Sequence, residues 1–190
     1  DVRSHGSGNA GMTNMFRTYG KKAGVLTLCG DVLKTVVATL LGYLWLGYIG
    51  AYLSGLFCML GHMFPVFYKF RGGKGVATLV GAVTGIYPPV ALLCFGVWLV
   101  ILMVSHYVSL ASMVAGCCFP VFTLISPKVN GSTAFVVFSF VIAILLIYTH
   151  RKNIERLKAG TESKTFIWKP RRVKLDDEER KKSGKEHDRE

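Results

Sequence analysis

The run Val76-ATLVGAVTGIYPPVALLCFGVWLVILM-Val104 is apolar throughout and is interrupted only by Pro88-Pro89. As one helix it would cross a bilayer once; broken at the prolines it becomes two segments. The first proline disfavours helix at Tyr87 and the second cannot continue a hydrogen-bonded ladder, so the sequence predicts a break there. Piece 76–87 is then short for ~30 Å of hydrocarbon, so it is expected to be buried against neighbours or to sit where the bilayer thins.

Working outward, residues 25–65 stay apolar for about two spans of ~20 residues, with Gly47 and Gly50 marking a turn between them. Further spans are expected over Tyr107–Ile125 and Thr133–Tyr148, separated by the turn-rich Ser126-PKVNGS-Thr133. The fold class is therefore an all-α polytopic integral membrane protein. Parity supports the break at the prolines. Basic patches precede and follow the region from Val76 to Tyr148, and cytoplasmic Lys and Arg set topology. Both patches lie on one side only if an even number of crossings separates them, which gives six helical segments in this chain.

Those patches are His5-GSGNAGMTNMFRTYGK-Lys22, Gly61-HMFPVFYKFRGGK-Gly75 and His150-RKNIERLKAGT-Glu162. Up to Glu162 the chain has thirteen Lys and Arg, all in or beside the patches except Lys34 and Lys128. The pI is about 9.7. The cations flank hydrophobic runs rather than lining a soluble face, and no nucleic-acid motif accompanies them, so no nucleic-acid partner is expected. Orientation signals alone would explain the Lys and Arg, but not the Gly, Asn and Ser around them. Positive charge and backbone donors at the ends of apolar segments point to a phosphorylated substrate at the membrane surface. Cys29, Cys58, Cys94, Cys117 and Cys118 all fall in apolar stretches without Cys-x-x-Cys pairing, so neither disulfide nor metal is expected. Residues 1–162 form the membrane-embedded domain. Residues 163–190, with ten basic and seven acidic side chains, read as a charged cytoplasmic tail whose Lys169-PRRVK segment suits anionic headgroups.

Each patch carries candidate chemistry. Gly72-Gly73-Lys74-Gly75 leads into an apolar helix, where backbone N–H groups converge on an anion and the lysine adds a point charge. It is not a Walker A loop, since position 68 is Tyr and position 75 is Gly. In the first patch Ser7, Asn9, Thr13, Asn14 and Arg17 suit a phosphate or a polarised carbonyl, and Ser7 or Asn9 is alternatively a helix N-cap. His150, Asn153 and Arg156, three apart, share one face of a helix leaving the membrane. Asp31 lies in an apolar helix with Lys34 one turn on. That spacing fits an internal ion pair, avoiding roughly 2.5–3.5 kcal/mol for an unpaired charge at the bilayer centre.

Read together, the three patches resemble the three motifs of the bacterial acyl-phosphate:glycerol-3-phosphate acyltransferase family (PlsY type), in the family's order and across nearly all of 1–162. The resemblance implies a seven-helix integral membrane enzyme whose first helix precedes the first motif and is absent from this chain. It implies transfer of a fatty acyl group from acyl phosphate to the 1-hydroxyl of glycerol 3-phosphate, giving lysophosphatidate and phosphate in bacterial phospholipid synthesis. The location implied is the bacterial cytoplasmic membrane, with the active site facing the cytoplasm. By the same resemblance Ser7, Asn14, Arg17, Lys74, His150 and Asn153 are catalytic. Asn9, His62, Gly72, Gly73 and Gly75 bind substrate, Glu162 is structural, and no cofactor is required. Arg71 stands where the family commonly has Lys. Two other readings fit less well. A His-x-x-x-x-Asp acyltransferase finds only His150…Glu155, and an organophosphate transporter would place polar groups at the bilayer midplane, where His62 and His106 could line a path.

Overall fold

The computed structural model describes residues 1–126 and 132–165. The turn expected between Ser126 and Thr133 and the tail beyond 165 lie largely outside the described residues. After a 3-10 turn at Val2–Ser4 come α1 (Met12–Tyr19), α2 (Lys21–Met63), a second 3-10 turn (Val66–Tyr68), α3 (Val76–Ile86), α4 (Pro88–Ser105), α5 (Val108–Ile125), α6 (Thr133–Thr149) and α7 (Arg151–Lys158).

Helix α2 is two arms joined at a sharp break, where Leu46 leaves helical geometry and Gly47 takes φ 61° and ψ −149°. A side chain resists that positive φ, and glycine does not. The arms then run antiparallel, and Gly42 and Gly50 bring their backbones together: a Cβ on either would strike the other's carbonyl oxygen. In lipid, small residues at such crossings let backbones approach and gain van der Waals contact. Tyr87 is the only residue between α3 and α4, at φ −152°, with Pro88 opening α4. Both expected breaks are thus present, and the two arms with α3, α4, α5 and α6 make six apolar helical segments.

At ~1.5 Å per residue, α3 reaches barely half of a ~30 Å hydrocarbon core. It survives by burial, as the sequence anticipated. Thr78, Leu79, Gly81, Ala82 and Val83 are covered, chiefly by α2. Gly81 seats against the Val32 carbonyl and Gly85 against Thr39. The threonines facing this seam donate to carbonyls one turn back, Thr35 to Asp31 at 3.0 Å and Thr39 to Thr35 at 3.0 Å, so no hydroxyl is left unpaired. Deeper in the bundle, Tyr52, Phe119, Phe135 and Phe138 form a connected aromatic core, with ring centroids 5.4–6.2 Å apart.

The outside of the bundle is apolar. Leu44, Trp45, Leu92, Val104 and Ile144 are exposed on its surface, with Trp45 85% accessible. A soluble protein rarely presents such continuous apolar surface, whereas lipid accepts it. By length and composition α2, α4 and α5 suffice to cross a membrane, and α6 with α7, bent by 55°, adds a fourth candidate.

Replacing Gly50 by Ala should force the two arms of α2 apart and cost ~1–3 kcal/mol. Gly96→Ala, with open space around it, should be neutral or better. Thermal unfolding in detergent checks both; equal midpoints for the two variants would refute the close crossing.

Candidate active site

Four traverses separate the second patch from the third, so both return to one end of the bundle, where the first patch also lies. Asn14 organises the first. Its side chain is buried at the start of α1, where Nδ2 donates to the carbonyls of Val2 and His5 and Oδ1 accepts the Ser7 N–H at 3.0 Å. The expected cap at Ser7 or Asn9 is not made: Gly11 precedes α1 and no side chain caps it. Ser7 instead lines the cavity described below, with Asn9 and Arg17. Arg17 Nη2 donates to the Ser163 carbonyl at 3.3 Å and to Thr165 Oγ1 at 3.2 Å.

The second patch differs from the sequence expectation at its glycines. Gly73 N–H already donates to the His62 carbonyl at 3.1 Å, so it is not offered to an anion. A Cβ on Gly72 would strike the His62 carbonyl, and one on Gly73 would strike the imidazole. These two glycines meet a demand for close approach, and neither lines the cavity. Gly75 does, at φ 85°. Lys74 also lines it, and its carbonyl accepts the Thr149 hydroxyl at 3.0 Å, tying the second patch to the third.

In the third patch His150 and Asn153 are buried. His150 Nδ1 donates to the Leu146 carbonyl at 2.8 Å, leaving Nε2 as the acceptor of the neutral ring. The Glu162 carboxylate is the hub: Ser109 Oγ and Asn153 Nδ2 each donate to Oε1 at 2.7 Å, and Arg156 Nε donates to Oε2 at 2.7 Å. Asn153 Oδ1 is the buried side-chain polar atom left without a partner among the described residues.

These groups share one cavity of about 330 Å³. Its polar end holds Ser7, Asn9, Arg17, Lys74, His150 and Asn153. Its other end runs between α3, α4 and α5 past Val83, Phe95, Trp98 and Phe119. His62 and Asp31 complete the wall. Burial pushes the Lys74 ammonium down to about 8, Glu162 opposing and Arg156 and Arg17 adding to the shift. His150 is pushed down to about 4, again chiefly by burial, with the Leu146 bond and Glu162 opposing and Lys74 reinforcing. No group of His, Cys, Asp and Glu suited to a metal occurs among the described residues.

Residues 1–160 match the family model described as glycerol-3-phosphate acyltransferase. The chain belongs to the glycerol-3-phosphate acyltransferase family. It is 43% identical over 164 residues to the glycerol-3-phosphate acyltransferase of Thermoanaerobacter sp., covering 86% of this chain and 81% of that one. It is 41% identical over 168 residues to the Coxiella burnetii protein of that name, with 88% and 85% covered. Its fold matches crystal structures of PlsY (YgiH), an integral membrane glycerol 3-phosphate acyltransferase. The glycerol 3-phosphate form gives a TM-score of 0.80 at 42% identity, over 87% of this chain and 82% of that one. The lysophosphatidic acid form gives 0.76 at 43%, over 84% and 81%.

Sequence reasoning missed Ser109 and Thr149. Both are hydroxyls inside apolar helices, without a pattern to distinguish them from ordinary helix serines and threonines. The hub itself generates a prediction. Burial raises the Glu162 carboxyl, but the bonds from Ser109, Arg156 and Asn153 outweigh it and hold it below the usual carboxylate range. A lowered folded-state value contributes stability above the unfolded value and loses it as pH falls through the folded one. Glu162→Ala should therefore cost ~2–3 kcal/mol at neutral pH. Glu162→Gln should flatten the loss of thermal stability below pH 4.5. Unfolding followed against pH in detergent tests both, and a native profile for Glu162→Gln would exclude the hub.

Proposed function

We propose that this acyltransferase uses acyl phosphate as donor and acylates the 1-hydroxyl of glycerol 3-phosphate, in a bacterial cytoplasmic membrane with the cavity's polar end facing the cytoplasm. The observation that carries this reading is the two-ended cavity: cations at one end, apolar walls between helices at the other. A sixteen-carbon acyl chain gains about 12 kcal/mol on leaving water, so donor and product stay in the bilayer while the polar acceptor arrives from solution. An enzyme joining them needs such a cavity at the interface. The membrane-embedded unit is 1–162, and the sequence beyond is a charged tail with no catalytic part.

The glycerol hydroxyl oxygen attacks the acyl carbonyl carbon. A C–O bond forms, the carbonyl-to-phosphate C–O bond breaks, and inorganic phosphate leaves with the electron pair. Phosphate is a good leaving group, so the demands are to hold two anions together and to stabilise the developing oxyanion. Arg17 and Lys74 neutralise the phosphates, Arg17 exchanging Ser163 and Thr165 for substrate oxygens. Ser7 and Asn9 donate to the acyl phosphate, and Asn14 holds Ser7 in place. Gly75 gives the loop the backbone that sets Lys74, with Gly72 and Gly73 packed behind it. Asn153 Oδ1 and His150 Nε2 accept hydrogen bonds from the glycerol hydroxyls. A ring titrating near 4 is a weak proton acceptor at neutral pH. His150 therefore orients the attacking hydroxyl, and its proton passes to a substrate phosphate oxygen. Direct transfer is favoured because acyl phosphate already carries a good leaving group, so an acyl-enzyme would replace no difficult step.

Purified protein in lipid should release phosphate from palmitoyl phosphate only when glycerol 3-phosphate is present, and should not use palmitoyl-CoA. Acceptor-independent release, or turnover with the thioester alone, would overturn the donor assignment. Lys74 must be protonated to hold a phosphate, so kcat/KM for glycerol 3-phosphate should fall as pH rises through about 8. Lys74→Arg should move that fall upward by more than one pH unit. A profile flat to pH 10 in the parent protein would remove Lys74 from the phosphate site.

A further inference from the structure

One charged cluster at the cavity has no part in the chemistry above. Lys34 Nζ lies 2.6 Å from Asp31 Oδ1 and 3.1 Å from His62 Nδ1, and Asp31 Oδ1 is itself 3.4 Å from that nitrogen. An ammonium only donates, so His62 Nδ1 accepts and its proton sits on Nε2. The Nε2 edge of the ring is the surface on which Gly73 rests, and the His62 carbonyl takes the Gly73 N–H. Asp31 and His62 lie at similar distances along the two arms from the break at Gly47. The cluster therefore spans the arms level with the cavity's polar end, rather than at the bilayer centre.

We infer that Asp31 and Lys34 are positioning residues for acyl transfer. They fix the imidazole of His62, and His62 fixes the Gly72-Gly73 segment that aims Lys74 at the substrate phosphate. The alternative role of such a pair is charge balance alone. The geometry separates the two, because Lys34 divides its donors between a carboxylate and a neutral ring. Charge balance needs only the first contact. Positioning needs the second as well, since without it the ring is free to turn and Gly73 loses its seat. The inference rests on Lys74 binding phosphate, as proposed above.

Steady-state kinetics of the full chain in lipid, with palmitoyl phosphate and glycerol 3-phosphate, test it. Asp31→Asn combined with Lys34→Met removes both charges and so preserves charge balance. It should nevertheless raise KM for glycerol 3-phosphate about tenfold while changing kcat less than about threefold. His62→Phe keeps a ring on Gly73 but loses the acceptor, and should do the same. Lys34→Met together with His62→Phe should be no worse than the worse single variant, because both cut one link. Native KM in the charge-neutral pair, or additive effects in the second pair, would overturn the inference. If the Lys34 variants do not fold, His62→Phe, which leaves the ion pair in place, still decides: native KM there overturns it. Lys74→Met separates the levels. Native KM in that variant overturns the phosphate assignment beneath the inference. A large KM increase there, beside native values in the other variants, overturns the inference alone.

Discussion

Inside hydrocarbon, every backbone N–H and C=O must be paired within a helix, so irregular backbone is confined to helix ends or to protein-lined cavities. This one constraint arranges the molecule. The apolar segments are regular apart from the breaks at Leu46–Gly47 and at Tyr87, and Thr35, Thr39 and Thr123 within them donate to carbonyls of their own helix. The loops rich in Gly, Asn and Ser are pushed to the ends. Four traverses between the second and third patches bring those ends together. The geometry of the candidate site thus follows from helix count, and an odd number of antiparallel helices between the two patches would have split it between opposite ends of the bundle.

Close approach is the second organising demand, and it explains more of the glycines than loop flexibility does. Gly42 and Gly50 let the arms of α2 touch, and Gly81 and Gly85 let the short α3 sink against them. The same requirement reaches the site through Gly72 and Gly73, which press on the carbonyl and ring of His62. Bundle packing and site geometry therefore share a currency of backbone contact. A side chain added at 73 would not merely crowd the loop; it would displace the residue against which the loop is registered.

Much of this was legible in the sequence. Pro88-Pro89 located the break at Tyr87, and the glycines near 47 located the bend of α2, because both features act through local backbone sterics. Three-residue spacing put His150, Asn153 and Arg156 on one face, and the Asp31–Lys34 spacing gave the ion pair. What periodicity could not supply was the partner of each polar group. Nothing in the chain order says that Glu162 collects Ser109, Asn153 and Arg156, that Thr149 bonds the Lys74 carbonyl, or that Asn14 spends its amide on Val2, His5 and Ser7. The contacts of Ser109 and Thr149 bridge 53 and 75 positions, and the nearer ones depend on how the loops fold back, so only the folded chain brings the partners together. At Gly73 packing adds a contact that the glycine run does not announce. A glycine run before a helix reads as a phosphate cradle, yet its N–H is consumed by His62, because packing against α2 competes for the same donor.

The electrostatics of the mouth follow from gathering three cations around one carboxylate. Glu162 takes its hydrogen bonds from Arg156, Asn153 and Ser109, and its charge offsets only part of the effect of burial on Lys74. Burial, with those neighbouring cations, brings Lys74 down to about 8, so the site sheds part of its own charge toward alkaline pH. At the phosphate site proposed above, an incoming phosphate would add counter-charge beside Lys74 and fill the cavity with hydrogen-bond acceptors. Anion binding is therefore linked to proton retention on Lys74, and the linkage runs in both directions. With acyl phosphate as the donor proposed above, departure of free phosphate would tip the same balance back. Under that proposal the coupling suits the reaction, because the same protonation that helps Lys74 hold the anion is eased once the leaving group passes to water.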